Sequence, residues 1–198
     1  MTNCDEHGDL GLPSKANSCC LSEMELYLND KFRLLWEQHI YWTRMVILGI
    51  AFKSPDLKYT TNRLLRNATD FAKVFLPFYG DSVASEFKNL IHDHLTIAAE
   101  LVTAAKAGDS EAMEDSEKRW YGNANEIACF LTHINHCWTY PSVKAMWFEH
   151  LDLTKEEAVA ILNKKYNRSI QVFGKIENLA LRMADDFTNA FVCQFGCK

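Results

Sequence analysis

Apolar residues recur at alternating intervals of four and three along most of the chain, and this spacing restricts the fold more than any other feature. The first such series is Leu28, Phe32, Leu35, His39, Trp42, Val46 and Gly49. On an α-helix these positions form one continuous stripe, as on the inward face of a helix in a bundle. No stretch alternates between apolar and polar residues for long enough to predict a β-strand. The sequence therefore predicts an all-α protein.

Short turn sequences divide the chain into six predicted helices. A capping-box pattern at Ser22 and Glu25 opens the first helix, and Gly80 is a natural C-cap for the second. The approximate limits of the six helices are 22–53, 59–78, 81–106, 110–135, 141–166 and 168–195. Because the connections are short, neighbouring helices must be antiparallel. We therefore predict one up-and-down bundle of about six helices at residues 22–198, preceded by a mobile, cysteine-containing tail at residues 1–21.

A weak internal repeat relates the first helix pair to the last. The pattern W-x-x-H-x-x-x-T begins at Trp36 and again at Trp147, and 28 residues beyond each histidine lies an asparagine, Asn67 or Asn178. The predicted repeat unit is a hairpin, with copies at 32–78 and 143–195 around a central hairpin at 81–135. Matches of this length also arise by chance, so duplication and coincidence both stay open. A true duplication would place the two histidines at equivalent positions in the bundle.

Three histidines occupy stripe positions where the pattern expects leucine or isoleucine. They are His39, His94 and His150, and they lie 14, 12 and 15 residues before Lys53, Lys106 and Lys165, which are near the ends of the predicted helices. These three helices run in the same direction, and each residue rises about 1.5 Å along the axis, so the rings lie at similar depth. Burying an imidazole without a partner costs on the order of 1–3 kcal/mol, so each ring needs a partner. The sequence predicts that the three rings converge inside the bundle.

The antiparallel fourth helix brings Glu126 to the same depth as the histidines. Imidazole and carboxylate ligands together suit Zn²⁺, Fe²⁺, Mn²⁺ or Ni²⁺, so we predict a site for a divalent transition metal. Glu177 and Glu157 are additional candidates, as ligands or as acceptors for the ring N–H groups. The alternative is a non-catalytic binding or scaffolding bundle, in which each histidine is a core residue bonded to a nearby carbonyl or hydroxyl group. Neither alternative names a reaction, and both leave a small-molecule ligand and a homo-oligomer open.

Several familiar functional patterns are absent from the sequence. The E-x-x-H pairs of di-iron bundles, the H-E-x-x-H pattern of zinc proteases and the glycine-rich phosphate loops do not occur. With 21 Lys and Arg against 26 Asp and Glu, the chain has no basic field for nucleic acid. The longest apolar run, Met45 to Phe52, is far shorter than the roughly 20 residues of a membrane span. Because no secretory signal is recognisable either, we expect a cytoplasmic protein without a membrane partner.

The cysteines do not have the arrangement of a disulfide framework, since they number 7 and are scattered along the chain. Cys129 and Cys137 lie in or beside helical sequence, and we predict that they are small buried hydrophobic residues. The remaining cysteines of interest are terminal: Cys19, Cys20, Cys193 and Cys197. In a six-helix bundle the first helix begins where the last one ends, so these thiols would be able to meet. This arrangement is the basis of a third alternative, a thiol-based redox sensor.

Five segments of the chain resemble a family of uncharacterised helical proteins from spore-forming and related Gram-positive bacteria. They are LWEQHIYWTRM, TTNRLLRN, HDHLTIAAELVTAAKAGD, EKRWYGNANEIACFL and EHLDLTKEEA. The resemblance covers about Phe32 to Phe195 and leaves out the cysteine-bearing tail. Some members carry the label acetylglutamate kinase, but this sequence contradicts that label, because such a kinase needs an α/β sandwich with glycine-rich phosphate loops.

The histidine-bearing motifs carry a second, more remote resemblance. The motifs E-x-H at residues 37–39, H-x-H at 92–94 and E-H at 149–150 resemble those of bundle metalloproteins with repeated E-H helices. This likeness implies a ferritin-like or DinB-like architecture, similar to bundles that bind a metal through three histidines and transfer thiols. It is an analogy of fold and ligand type, and it assigns no reaction to this chain.

Overall fold

The computed structural model describes residues 22–196, and within them the chain forms five α-helices and no β-strand. The helices are α1 (Glu23–Phe52), α2 (Leu57–Ala107), α3 (Ser110–Ile134), α4 (Tyr140–Leu162) and α5 (Tyr166–Phe195). The predicted all-α class is confirmed. The predicted tail at 1–21, with Cys19 and Cys20, lies outside the described residues, and so does Cys197. None of the helices formed by residues 22–196 is both long enough and apolar enough to span a membrane.

The predicted count of six helices is wrong by one, because the second and third predicted helices form a single element, α2. Gly80, with φ 80° and ψ 176°, interrupts α2, and the chain reverses there. Phe75 and Phe87 would lie about 18 Å apart along a straight helix, yet their stacked rings have centroids only 4.1 Å apart. A positive φ of this kind is open to glycine because glycine has no Cβ. α2 therefore has a first arm (57–79) and a second arm (81–107), and the predicted up-and-down order is retained.

Side-chain caps fix where two of the helices begin. Ser22 is the N-cap of α1, and its hydroxyl oxygen accepts a hydrogen bond from the Glu25 backbone N–H at 3.1 Å, as the sequence predicts. Asp109 caps α3 in the same way, through the Ala112 N–H at 3.1 Å. Each cap satisfies a backbone donor that would otherwise have no partner within the helix.

A layer of aromatic rings packs the core on one side of the histidines. Phe32, Phe75, Phe187 and Phe191 are all completely buried, and the Phe32 ring lies edge-on to Phe191 with centroids 5.0 Å apart. Each buried ring contributes about 1.5–3 kcal/mol, and an edge-to-face pair adds about 0.5–1.5 kcal/mol. Trp36 joins this layer to the histidines, since its ring lies 5.7 Å from Phe187 and 5.2 Å from His39. The densely packed layer therefore gives the histidines a rigid support.

A disulfide between Cys137 and Cys193 ties the α3–α4 connection to the end of α5, with 6.3 Å between the Cα atoms. The prediction that Cys137 is a buried hydrophobic residue is wrong, because it lies in a turn where helical periodicity does not apply. The same prediction for Cys129 is also wrong, because this cysteine is free and exposed on the outer face of α3. Asn135 holds the turn in place by donating hydrogen bonds to the Tyr79 hydroxyl at 2.9 Å and to the Ala190 carbonyl at 3.0 Å.

Candidate metal centre

Three histidine rings meet in the middle of the bundle. His39 comes from α1, His94 from the second arm of α2 and His150 from α4, and each is at most 2% exposed. The ring centroids are 5.4 to 5.8 Å apart. One nitrogen atom of each ring lies within 4.8 Å of a nitrogen of the other two. The structure thus brings together the three residues that the depth argument selects.

Two of the rings are each oriented by an asparagine on a neighbouring helical segment. Nδ1 of His39 lies 3.0 Å from Oδ1 of Asn67, and Nδ1 of His94 lies 3.2 Å from Oδ1 of Asn123. An amide oxygen can only accept a hydrogen bond, so Nδ1 of each ring is the protonated nitrogen. The lone pair of each imidazole is then on Nε2, which is the nitrogen able to ligate a metal ion. Such a partner on the second nitrogen is a regular feature of metal-binding histidines.

Backbone carbonyl groups fix which way the two amides face. Nδ2 of Asn67 donates to the carbonyl oxygen of Leu35, and Nδ2 of Asn123 donates to that of Leu90, both at 3.0 Å. Each carbonyl belongs to the residue four positions before the histidine. One helical turn therefore supplies both groups that the asparagine bridges. Because the amide nitrogen must face the carbonyl, the amide oxygen must face the ring, and the tautomer of the imidazole is set.

His150 has no such partner. Its Nδ1 is buried and makes no hydrogen bond within residues 22–196. Asn178, which the sequence repeat pairs with His150, is exposed and donates to the Gly174 carbonyl of its own helix. In the structure the counterpart of Asn67 is instead Asn123, in the central hairpin, 29 residues beyond its histidine. An unpaired buried nitrogen costs about 1–3 kcal/mol, so His150 is the ring that most needs a further partner.

Three tryptophans enclose the histidines. The ring of Trp36 lies 5.2 Å from His39, and those of Trp120 and Trp147 lie 5.5 and 5.3 Å from His94. All three indoles are at most 2% exposed, and their N–H groups have no acceptor among residues 22–196. The indoles exclude bulk water from the rings, which strengthens every electrostatic interaction at the centre.

Burial keeps the three imidazoles uncharged. Loss of hydration lowers the pKa of His39 to about 4, although the hydrogen bond to Asn67 acts in the opposite direction. Loss of hydration and the nearby His39 ring lower the pKa of His94 to about 3. The pKa of His150 falls well below its usual value, first through burial and then through the other two rings. At neutral pH all three are neutral, which is the form that binds a metal ion.

None of the predicted carboxylates joins the histidines, and this corrects the ligand set predicted from the sequence. Glu126 lies on the exposed face of α3, and Asn123, almost one turn earlier, faces His94 instead. Glu126 lies within one helical turn of Asn123, but the two side chains are about 60° apart around the helix axis, and this places Glu126 on the exposed face. Glu177 lies near the surface and accepts a hydrogen bond from the Tyr41 hydroxyl at 2.6 Å.

Glu157 is buried, but it is already paired. It is 1% exposed and forms a hydrogen-bonded ion pair with Arg44, which packs over the Phe173 ring at 4.8 Å. Burial raises the pKa of Glu157 to about 7, and the attraction of Arg44 offsets only part of that increase. Its carboxylate is therefore committed to a cation of the protein itself, and it supports α1 against α4.

A second group of potential ligands surrounds the disulfide. Donor atoms of His136, Cys137 and Cys193 lie within 4.8 Å of one another, and Nε2 of His136 is 3.7 Å from the sulfur of Cys137. In the disulfide neither sulfur is the thiolate that a metal requires. The sequence grouped Cys193 with the terminal cysteines, but in the structure its partner is Cys137.

Comparisons with protein-family models, with curated proteins and with solved structures find no match to this chain. A function can therefore be inferred only from the geometry of the centre. Its donor set is three neutral imidazoles, two of them held in a defined tautomer, in a chamber closed by indole rings.

Proposed function

We propose that this protein is a metal-binding helical bundle in which His39, His94 and His150 hold one divalent transition-metal ion. The observation that carries the proposal is the convergence of three buried, uncharged imidazoles with one nitrogen each within 4.8 Å. Packing three polar rings against one another leaves ring nitrogens without partners, which is costly in a closed core. A shared cation offsets that cost at all three rings at once.

The donor set narrows the choice of metal. Imidazole suits Zn²⁺, Fe²⁺ and Ni²⁺, whereas Mn²⁺ prefers oxygen ligands, and no carboxylate joins the three rings. Zinc–nitrogen bonds are about 2.0–2.1 Å long, so two ligating nitrogens are at most about 4.2 Å apart. The three nitrogens lie within 4.8 Å of one another, so one ion would need at most a small movement of the rings to bind all three. Three protein ligands leave a fourth position open for water or another small ligand, as in catalytic zinc sites.

Elemental analysis of protein purified without a nickel column tests the proposal. We expect about one equivalent of a transition metal in the wild-type protein, and its loss in His94→Leu, because one ligand of three is removed. His92→Leu is the matched control, since His92 lies two residues earlier and its side chain is 48% exposed. A wild-type content below about a tenth of an equivalent, before and after incubation with Zn²⁺ or Fe²⁺, would refute metal binding.

The disulfide favours a second candidate function, a thiol-based redox sensor. In the cytoplasm, where we propose that this protein resides, most disulfides are transient and either catalytic or redox-sensing. Cys137 and Cys193 are not deeply buried, and the exposed His136 lies beside them. Equilibration with glutathione buffers from −150 to about −300 mV tests this candidate. A bond that stays oxidised throughout would be structural, and the sensor function would be excluded.

A further inference from the structure

An apolar cavity of about 90 Å³ lies next to the metal centre, between α1, α2, α3 and α4. Thr43, Ala98 and Thr154 line it, and each lies four residues beyond one of the three histidines. Four residues correspond to about 6 Å along a helix. The inner end of the cavity is therefore about one helical turn from the imidazole rings.

The walls of the cavity are almost entirely aliphatic. They include Val46, Leu64, Leu95, Val102, Ala158 and Leu162. Walls of this kind give no hydrogen bonds to a polar molecule, but they favour an alkyl chain by about fourfold in affinity for each methylene group buried. A cavity of about 150 Å³ takes benzene, so the present one is limited to a shorter or thinner group.

The inner end of the cavity has a different character. The Trp120 ring lines it, lies 5.5 Å from the His94 ring, and has a buried N–H without an acceptor. The Thr43 and Thr154 hydroxyls donate to the carbonyl oxygens of His39 and His150, at 2.7 and 2.8 Å. Among the residues that line the cavity, Trp120 alone has a buried donor without an acceptor, and this N–H suits an oxygen acceptor.

The outer end of the cavity is closed by an ion pair. Lys155 binds Glu117 at 2.7 Å, and each side chain is 39% exposed, so the pair lies where the cavity reaches the surface. The Lys155 ammonium also lies 5.6 Å from the centre of the Tyr121 ring. Because the two charges are matched, the rim attracts neither anions nor cations strongly. Electrostatic selection of a ligand therefore happens at the inner end.

We infer that this cavity binds a short-chain monocarboxylate, with its oxygen at the open position of the metal and its alkyl chain along the aliphatic walls. The inference rests on the proposed metal site. Three neutral imidazoles leave both positive charges of the ion uncompensated in a dry chamber, and an anion compensates one of them. The Trp120 N–H then acquires its missing acceptor. The same positive charge of the ion repels an ammonium-headed molecule of equal length.

Titration of the Co²⁺-loaded protein with acetate, butyrate and butylammonium tests the inference, with the visible absorption of Co²⁺ as the readout. Butyrate has two more methylene groups than acetate, so we expect it to bind about 15-fold more tightly. Butylammonium should leave the spectrum unchanged. In Ala158→Leu, where the cavity is partly filled, the preference for butyrate should disappear while Co²⁺ and acetate still bind. Ala98→Leu gives the same test from α2 if the first variant does not fold.

Ala112→Leu is the control variant, because Ala112 is exposed and lies away from the cavity wall. It should retain the full preference for butyrate. If Co²⁺ binds but the carboxylates do not change its spectrum, or if chain length has no effect, the ligand is wrong and the metal function stands. A preference that survives in both cavity-filling variants also overturns the inference. If Co²⁺ itself does not bind, the metal function fails and the carboxylate site fails with it.

Discussion

Asn67 and His39 form a buried pair in which the amide oxygen holds Nδ1 of the ring at 3.0 Å. The nitrogen of the same amide donates to the Leu35 carbonyl at 3.0 Å, so both the oxygen and the nitrogen of the Asn67 side chain are hydrogen-bonded. Asn123 repeats this arrangement at His94. The two asparagines therefore keep the lone pairs of two histidines on Nε2, and the first prediction tests their contribution.

Asn67→Ala and Asn123→Ala should each lower metal affinity by about 10- to 100-fold. Without the amide oxygen, neither the protonated nitrogen nor the orientation of the imidazole ring is fixed. Competition with a chromophoric chelator measures the change. Asn178→Ala is the matched control, since Asn178 is exposed and bonds only to the Gly174 carbonyl within residues 22–196. Equal effects at Asn123 and Asn178 would contradict the pairing seen in the structure.

Substitution of the histidines should be strongly non-additive. With metal present at 1,000 times its Kd, binding contributes about 4 kcal/mol to the free energy of unfolding. His39→Leu should remove that contribution, and adding His150→Leu should cost little more, because the ion has already gone. A chelator should destabilise the wild-type protein by the same amount. Additive or stabilising effects, together with chelator-insensitive unfolding, would show that the histidines are ordinary core residues.

Acid should destabilise the metal-free protein through the same three rings. Their pKa values lie below the usual 6.5, at about 4 for His39 and about 3 for His94, so the unfolded chain binds protons more readily. The contribution of the three rings to the free energy of unfolding should therefore be complete above pH 6.5 and fall as the pH drops from there toward 4, and the raised pKa of Glu157 opposes only part of this fall. Each ring adds up to about 1.4 kcal/mol per pH unit in that window.

Urea unfolding of the metal-free protein at several pH values measures this slope. The variant His39→Leu should show a shallower dependence between pH 6.5 and 4, because one buried base is missing. His92→Leu should show the same slope as the wild-type protein, because the His92 side chain is 48% exposed. A wild-type slope no steeper than that of His39→Leu would mean that the ring protonates as easily in the folded protein as in the unfolded chain.

Reduction of the disulfide should lower the free energy of unfolding by about 2–4 kcal/mol, because the bond restricts the unfolded chain. The sequence separation between Cys137 and Cys193 is 56 residues, which is a long loop. Cys137→Ser and Cys193→Ser should each reproduce the loss, and the double variant should add little. Cys129→Ser is the control, because Cys129 is free and exposed. Reductant-insensitive unfolding of the wild-type protein would contradict the bond.

Gly80→Ala should destabilise the bundle by more than about 1 kcal/mol, because φ at Gly80 is 80° and a Cβ is strained there. No atom lies within 4 Å of the added Cβ, so the effect would come from the backbone and not from a clash. Gly122→Ala is the control in the middle of α3. Space is also open there, and the change should stabilise by about 0.5–1 kcal/mol. Effects of the same sign would show that the reversal in α2 does not depend on glycine.

The helices and the depth of the histidines could be predicted from the sequence, because both depend on local spacing. The interval of four and three residues defines a stripe on a helix, and Ser22 and Asp109 supply the hydrogen bonds that open α1 and α3. A constant rise per residue then converts the position of a histidine along its helix into a height in the bundle. That arithmetic placed His39, His94 and His150 in one layer without reference to any contact.

Only the tertiary structure decided which side chains meet in that layer. Height along an axis does not fix the direction in which a side chain points, so Asn123 and not the predicted Glu126 meets His94. The Cys137–Cys193 bond depends on how a turn docks on the end of α5. Such contacts join residues far apart in the chain, and their energies depend on the packing of several helices together. Local periodicity contains no information about that packing. The side chains that surround the three histidines could therefore be identified only from the tertiary structure.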